Sequence, residues 1–467
     1  MSQYDHLFRT YDIRGKFPND FSLETVLNMG RAFGETFGAT STIVIGGDVR
    51  ISTPVIKSAL AAGLMEVQCN VIDVGLCTTP TIYFLAAHNS PVNGGIMITA
   101  SHNPILYNGI KVCDGNGVSF HIDNYFRHIQ RRVEQLEKKH VSSHEIREYG
   151  QLLQPIAVTS AQYWDYQKAH FHPGREVRVG VELGNGTCFP IIDLLRSTGI
   201  PVKALHSQPN GHFPVMIPDP ANSECLIYLQ QSVRENNLDI GLGFDTDGDR
   251  IGIVDDQGKI IRSDQVIMLI GEYLLHKHPN AIIMIDVKTS RATLEYLTKL
   301  GAEVQFSKVG HSWIHEELLR SGAIFAGELS GHFYFGGDYY GFDDAIYSAL
   351  RVLEILTQSE EPLSSLLKNL PSYPASEEIR IPCSDHLKSK VVKNIQNILS
   401  KEANEIITID GIRAEFDDGW ILVRKSGTEP VISSRAEAST SQRLHYYQRY
   451  MQELITGEIE KIGEIVK

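Results

Sequence analysis

The chain has 467 residues, 42% hydrophobic and 21% charged, with 43 Lys+Arg against 56 Asp+Glu for a formal net charge of −13. That composition is expected of a globular protein of three or four domains at about 150 residues each. The acidic balance excludes nucleic acid or an anionic membrane as the main partner, but leaves room for a small anionic substrate held by locally gathered basic residues. No basic-apolar-small leader is evident, and no apolar run approaches the roughly 18 residues of a membrane span. The six cysteines show no CxxC and no paired spacing. Reduced thiols in the cytoplasm are therefore expected, and a zinc site is not.

Taken in order, residues 41–49 form a strand-like run, 52–62 read as a helix and 68–74 as a strand. The same succession recurs at 177–183, 190–197 and 201–205, and again at 281–287, 291–300 and 303–309. Such alternation predicts βαβ crossovers and a largely parallel sheet. In each copy a further apolar run follows, at 95–99, 238–244 and 323–326, and each run ends on polar residues. Strand ends of this kind are where α/β sheets bind ligands. The last part differs: 371–374 reads as a linker, 420–424 and 431–438 as two strands around a polar loop, and 442–455 as a helix. The predicted fold is α/β, three similar units with mixed, largely parallel sheets plus a C-terminal α+β unit. Boundaries are expected at 1–152, 153–257, 258–370 and 371–467.

Four constellations carry chemistry. The first copy ends Thr99-Ala100-Ser101-His102-Asn103-Pro104. A serine leaving a strand beside a histidine suits a nucleophile or a phosphate carrier, and Lys111 would sit nearby as a general acid/base or charge partner. The plain alternative is a polar turn with a capping serine; no GxSxG elbow is present. The second copy ends Phe244-Asp245-Thr246-Asp247-Gly248-Asp249-Arg250. Carboxylates at alternate positions of an extended tip point the same way, and an all-oxygen set favours a hard ion such as Mg²⁺. An acidic solvated turn is the alternative. An EF-hand loop is excluded by Arg250 at its sixth position and Asp256 at its twelfth.

The third copy ends Gly327-Glu328-Leu329-Ser330-Gly331-His332. Glu328 and Ser330, two apart on an extended segment, would face a cleft and bond vicinal sugar hydroxyls with His332 on the same side; an ordinary edge strand is the alternative. Lys308-Val309-Gly310-His311 belongs to the same copy. The fourth constellation, Arg424-Lys425-Ser426-Gly427-Thr428-Glu429-Pro430, has the cations, hydroxyls and glycine of an anion nest, supported by Arg435. Otherwise it is a solvated hairpin turn. Together these parts describe phosphoryl transfer, which needs chiefly positioning and charge stabilisation.

With these motifs in this order the chain resembles the α-D-phosphohexomutases, over essentially its whole length. Residues 8–15 look like the family's opening segment, 99–104 its phosphoserine loop, 243–250 its metal loop, 327–332 its sugar-specificity loop and 424–430 its phosphate loop. The resemblance implies three similar α/β domains and a TATA-binding-protein-like C-terminal domain around a central cleft. It implies that Ser101 is phosphorylated in the active enzyme. One Mg²⁺ per chain would be held by Asp245, Asp247, Asp249 and a phosphoserine oxygen, with a hexose 1,6-bisphosphate as intermediate and activator. By motif match Tyr11, Arg14, His102, Lys111, Arg250, Lys288 and His311 line the cleft, with Lys111 and His332 as candidates for proton transfer. Glu328 and Ser330 would bind the sugar, and Arg424, Ser426, Gly427 and Thr428 the phosphate not being transferred, on a mobile domain. Leu329 and Thr99-Ala100-Ser101 favour the branch acting on mannose and glucose phosphates over the phosphoglucosamine branch. Two other readings compete: a haloacid-dehalogenase-type phosphatase or phosphomutase with Asp245 as nucleophile, and a non-catalytic sugar-phosphate sensor.

Overall fold

A computed structural model describes residues 4–139, 148–156, 158–427 and 430–466. The three predicted copies are three sheets with one shared pattern. In the first, parallel strands Asn70–Leu76, Thr42–Gly47 and Gly94–Ile98 lie side by side, and Tyr107–Asp114 returns antiparallel along the last. The second repeats this with Val202–Leu205, Val179–Glu182, Ile240–Phe244 and the returning Ile251–Asp255. The third does so with Glu303–Ser307, Ile282–Asp286, Phe325–Gly327 and the returning Phe333–Phe335. The parallel strands are joined through helices, as βαβ geometry requires. Each third strand instead turns straight back on itself. Those three turns, at 99–106, 245–250 and 328–332, hold the three chemical motifs.

The fourth sheet is wholly antiparallel, in the order Ile379–Pro382, Val431–Ala438, Gly419–Lys425, Ile412–Phe416 and Glu405–Ile407. Helices Asp385–Leu399 and Ser441–Val466 cover one face of it. The terminal helix runs well past the expected 442–455, because Met451, Ile455 and Ile462 keep facing the core while Gly457 meets nothing on its open side. Among the described residues, no helix is long and apolar enough to cross a membrane.

Burial ties the first three units into one body. A single apolar cluster runs from Ile82, Tyr83 and Phe84 through Val179 and Ile240 to Ile283 and Leu350. The C-terminal unit has its own core, and a small cluster of Val287, Trp420 and Leu422 joins it to the third. Arg413 seals that junction. Its guanidinium lies 4.0 Å from the Trp420 ring centroid and 4.8 Å from that of Phe306. It donates to the Val287 and Thr289 carbonyls at 2.9 and 2.7 Å and to Glu415 Oε1 at 2.7 Å. With no exposed surface, it is a buried cation whose removal strands two carbonyls and Glu415 Oε1, while Glu415 Oε2 keeps Arg291 at 3.0 Å. Arg413→Met is expected to cost about 3–5 kcal/mol, read as a lower urea midpoint; an unchanged midpoint would show the junction to be idle.

Candidate active site

Each unit begins its site with an acid at the end of its first strand. Asp48 Oδ1, Glu182 Oε1 and Asp286 Oδ1 each accept the backbone N–H two residues on, all at 2.9 Å. The other oxygen then reaches for a functional segment: Asp48 Oδ2 takes Thr99 Oγ1 at 2.8 Å, and Asp286 Oδ2 takes the Leu329 N–H at 3.3 Å. In the first unit Arg50 completes the scaffold. Only 1% exposed, it pairs with Asp48 at 3.2 Å. One of its nitrogens donates to the Pro104 and Tyr107 carbonyls, the other to those of Ser101 and Asn103. Ser101 sits inside this clasp at φ 48°, an uncommon conformation for a residue with a side chain. Neither Asp48 nor Arg50 was expected from the motifs. Their signal is the run Gly47-Asp48-Val49-Arg50 at a strand end.

The clasp presents Ser101 Oγ to the second unit. The hydroxyl donates to Asp245 Oδ2 at 2.8 Å and lies 3.0 Å from His102 Nδ1. Asp245, Asp247 and Asp249 do converge, with ligand oxygens within 4.8 Å of one another, all fully buried. The route differs from the expected extended tip. Residues 245–250 are a series of bends, and Gly248 takes φ 75°, where a Cβ would strike Cys188 Sγ at 2.6 Å. A bent loop wraps its carboxylates around a point; a straight strand would have spaced them along a line.

Neighbouring units hold the loop from both sides. Helix Thr79–His88 aims its N-terminus at it: the Thr79 N–H donates to the Asp247 carbonyl at 2.7 Å and Thr79 Oγ1 to Asp247 Oδ2 at 2.6 Å. Helix Ala345–Thr357, from the third unit, gives its first N–H to the Gly248 carbonyl at 3.2 Å. Lys111 supplies the counter-charge. Its Nζ is 3.0 Å from Asp247 Oδ2 and pairs with Asp249. Burial lowers the affinity of Lys111 for its proton, but Asp247 and Asp249 more than reverse this and hold it firmly cationic. Asp249 is correspondingly held well below the carboxylate range: burial opposes its charge, and Lys111 and His332 overcome it. Burial together with Asp249 and Asp247 pushes Asp245 well up, outweighing the opposing pull of Arg250 and Lys111.

The cluster fits a hard divalent ion. Among the described residues, Asp247 Oδ1 and Asp249 Oδ1 are buried with no hydrogen-bond partner, which is costly in an interior unless a cation is to meet them. All the donors are oxygens, as Mg²⁺ requires.

The third unit closes the site. Glu328 and Ser330 lie in a turn beyond the Phe325–Gly327 strand, so the expected alternation of an extended segment does not apply. Gly331 makes that turn at φ 87°, and its carbonyl accepts the Ile251 N–H at 3.0 Å, joining the second and third loops. Glu328 is 1% exposed and supports its neighbours, accepting the Gly310 N–H at 3.1 Å and the Tyr334 hydroxyl at 2.8 Å. His332 sits among acids: Nδ1 is 3.0 Å from Glu328 and 2.9 Å from Ser330 Oγ, and Nε2 is 3.6 Å from Asp249. Burial and Arg250 oppose its charge, yet the bonds to Asp249 and Glu328 raise it to about 9. Arg250 Nε donates to His332 Nε2 at 3.2 Å, a bond the ring accepts only where Nε2 carries no proton.

Arg14 joins this cluster through Asn103 and Asp12 and keeps a buried Nε without a partner among the described residues. Tyr11 places its ring edge-on to His311, centroids 5.1 Å apart. Lys288 stands at the junction with the C-terminal unit, 3.5 Å from Glu378. Arg424 pairs with Asp410 at 2.9 Å. Nearby, the Ser426 carbonyl accepts from Lys388 at 2.8 Å, and that of Gly427 accepts from Thr10 Oγ1 at 3.4 Å. Thr428 lies outside the described residues. Arg435 does not support this loop as expected: it reaches the Lys288 carbonyl at 3.1 Å, in the junction between units.

A strained serine facing three acids, with arginines and histidines around it, defines an enzyme of phosphoryl transfer on a repeated α/β scaffold. Models of phosphoglucomutase/phosphomannomutase alpha/beta/alpha domains I, II and III match residues 5–140, 161–258 and 262–373, and that of the C-terminal domain matches 378–454. The chain belongs to the phosphoglucomutase/phosphomannomutase family. It is 35% identical over 462 residues to a phosphomannomutase/phosphoglucomutase of Pseudomonas syringae pv. tomato, covering 98% of this chain and 96% of that one. A Methanopyrus kandleri protein named "Probable phosphoglucosamine mutase" is 32% identical over 458 residues, covering 98% and 99%. A solved phosphoglucomutase/phosphomannomutase family protein from Burkholderia thailandensis superposes with TM-score 0.87 at 32% identity, covering 98% of both chains.

The charge arrangement makes a prediction. Lys111→Met leaves the three acids without their cation, so the metal-free variant is expected to lose about 3–5 kcal/mol. At one fixed Mg²⁺ concentration, 100 times the variant's dissociation constant, the ion should restore about 3 kcal/mol, more than it adds to the wild type, whose Lys111 competes with it. Thermal melts with EDTA and with Mg²⁺ check this; equal metal responses in the two proteins would count against it.

Proposed function

We propose that this protein interconverts hexose 1-phosphates and hexose 6-phosphates of mannose and glucose through a phosphoserine at Ser101. The observation that carries the reading is Ser101 Oγ, held at φ 48° by the Arg50 clasp and bonded to Asp245 Oδ2 at 2.8 Å. A hydroxyl so placed puts a phosphoryl group beside the three acids.

Asp245, Asp247, Asp249 and Ser101 would hold one Mg²⁺, which when bound neutralises phosphoryl oxygens and makes the serine oxygen a better leaving group. Arg14 and Arg250 face the same space and would bind the remaining phosphoryl oxygens. Lys111 and His332 are the candidates for proton transfer to and from the sugar oxygens. Glu328 and Ser330 would orient the sugar hydroxyls away from C2, which accounts for use of both mannose and glucose. Arg424, Ser426, Gly427 and Thr428 would bind the phosphate that is not reacting, with Tyr11, Lys288 and His311 between that clamp and the serine.

The phosphoryl group leaves Ser101 for the free hydroxyl and gives a hexose 1,6-bisphosphate. That intermediate turns end for end and returns its other phosphate to Ser101, so the clamp must receive either end. Added bisphosphate would serve as activator by phosphorylating a bare serine. A cytoplasmic setting is supported by six cysteines that are all unpaired and buried.

³¹P NMR of the protein with Mg²⁺, trace glucose 1,6-bisphosphate, and mannose 1-phosphate or glucose 1-phosphate tests the proposal. Both 6-phosphates are expected, and Ser101→Ala should lower turnover by at least about 10³-fold. Conversion of glucosamine 6-phosphate alone would move the assignment to the phosphoglucosamine branch. Inorganic phosphate as product, with label on Asp245, would replace it with a phosphatase.

A further inference from the structure

The second unit reaches into the first at the clasp that holds Ser101. Asp48 and Asp286 turn their second oxygen to a loop of their own unit's chemistry; Glu182 does not. Its Oε2 stands 2.8 Å from His206 Nδ1, at the start of the segment 206–213 that leaves the Val202–Leu205 strand. The Asn185 N–H donates to the His206 carbonyl at 2.8 Å and Asn185 Nδ2 to the Gln208 carbonyl at 2.8 Å. The Asn210 N–H returns to the Asn185 carbonyl at 2.9 Å. These bonds pin a segment that has no strand or helix of its own.

What the segment carries to the first unit is Gly211 and Phe213. A Cβ on Gly211 would fall 2.2 Å from the Val49 carbonyl oxygen and 3.0 Å from the Ile51 nitrogen, so the two backbones touch there. Two residues on, Phe213 is 5% exposed and takes φ 44°. That conformation is costly for an aromatic residue and persists only where the surroundings impose it. Its ring packs against the Arg50 guanidinium, 5.5 Å from centroid to Cζ. A guanidinium donates only in its own plane, where the terminal nitrogens of Arg50 serve the carbonyls of Ser101, Asn103, Pro104 and Tyr107. Its face is left for packing, and an aromatic ring covers it with attraction where water would compete for the same N–H groups. Phe213 and Ser101, both in left-handed backbone, are thus linked through one buried cation, which donates to the Ser101 carbonyl at 2.7 Å.

We propose that Phe213 is a positioning residue for phosphoryl transfer: by covering Arg50 it holds the clasp, and with it Ser101 Oγ, against the acidic loop. This rests on the mutase reading above. The second unit thereby sets both sides of the reacting centre, carrying the acids on one loop and steadying the serine through another. The groups assigned above to the sugar and its distal phosphate, Glu328, Ser330 and Arg424 among them, belong to the third and fourth units. Loss of the ring therefore slows the transfer and spares binding. A loosened clasp lets Ser101 relax from φ 48°, and a displacement of about 1 Å at a reacting oxygen is worth about 100-fold in rate.

The test uses full-length protein in Mg²⁺, phosphorylated with glucose 1,6-bisphosphate. Single-turnover transfer from phosphoserine to glucose 1-phosphate is timed per mole of phosphoenzyme, so a merely unstable variant is not scored as slow. Phe213→Leu, which keeps apolar bulk but loses the ring, is expected to transfer about 10- to 100-fold more slowly with KM within about threefold. Phe213→Tyr, which keeps the ring, should stay within about threefold of the wild type. An unchanged rate in Phe213→Leu, an equally slow Phe213→Tyr, or a KM that rises as the rate falls would overturn the inference. Should Phe213→Leu not fold, His206→Ala decides, since it releases the segment from Glu182 while Oε1 keeps the Gly184 N–H. The same transfer should then slow by about threefold or more, and an unchanged rate would count against the role. A wild type that forms no phosphoserine, or passes its phosphoryl group to water alone, would overturn the mutase reading and this inference with it; a competent wild type beside an unmoved variant sinks the inference only.

Discussion

Everything at this site answers to one electrostatic problem: three carboxylates buried together beside a hydroxyl. Left alone they would repel, draw protons and lose the geometry that makes them useful. Lys111 comes from the returning strand of the first unit, His332 and its acids from the third, and the helix N-termini at Thr79 and Ala345 approach the loop's backbone. None of these belongs to the unit that carries the aspartates. The packing of the first three units around one core is therefore what permits the acids to stay close and keeps Asp249 ionised, and the site is as much a product of assembly as of local sequence.

The repeat explains how such a site can be built. Each unit turns its third strand straight back, and the turn is not covered by a crossover helix. Placing three such turns face to face brings together a serine, an acidic loop and the turn that carries Glu328 and His332, each on an equivalent position of an equivalent frame. The acids Asp48, Glu182 and Asp286 show the frame beneath the divergence. All three accept the N–H two residues on, while their second oxygens serve different ends.

Much of this was legible in the sequence. The strand-helix-strand succession appears in all three copies, and Ser101, the three aspartates, Lys111 and His332 do meet. The reasons read from spacing were less sound. Asp245, Asp247 and Asp249 converge because Gly248 bends the loop, not because an extended strand alternates. Glu328 is spent partly on Gly310 and Tyr334. Arg50 and Thr79 went unseen because each acts on residues far along the chain: Arg50 on Ser101 and Tyr107, Thr79 on Asp247. A periodicity or a short motif reports neighbours in sequence, and these residues earn their place through tertiary packing alone. The terminal helix overran its expected end for a related reason: its glycines face open space, so local helix-breaking tendency was overridden by a continuing apolar stripe.

The two-sided support of the acidic loop has a consequence for the order in which the protein comes into being. Residues 245–249 leave the ribosome roughly a hundred residues before Ala345, at about 5–20 residues per second. For several seconds the nascent chain therefore carries the aspartates with Thr79 and Lys111 already made, but without the N–H from Ala345 or the cation at His332. The metal loop reaches its finished form only when the third unit docks. Competence for catalysis thus arrives late in synthesis, as a signal that the chain has been made and folded through its third repeat.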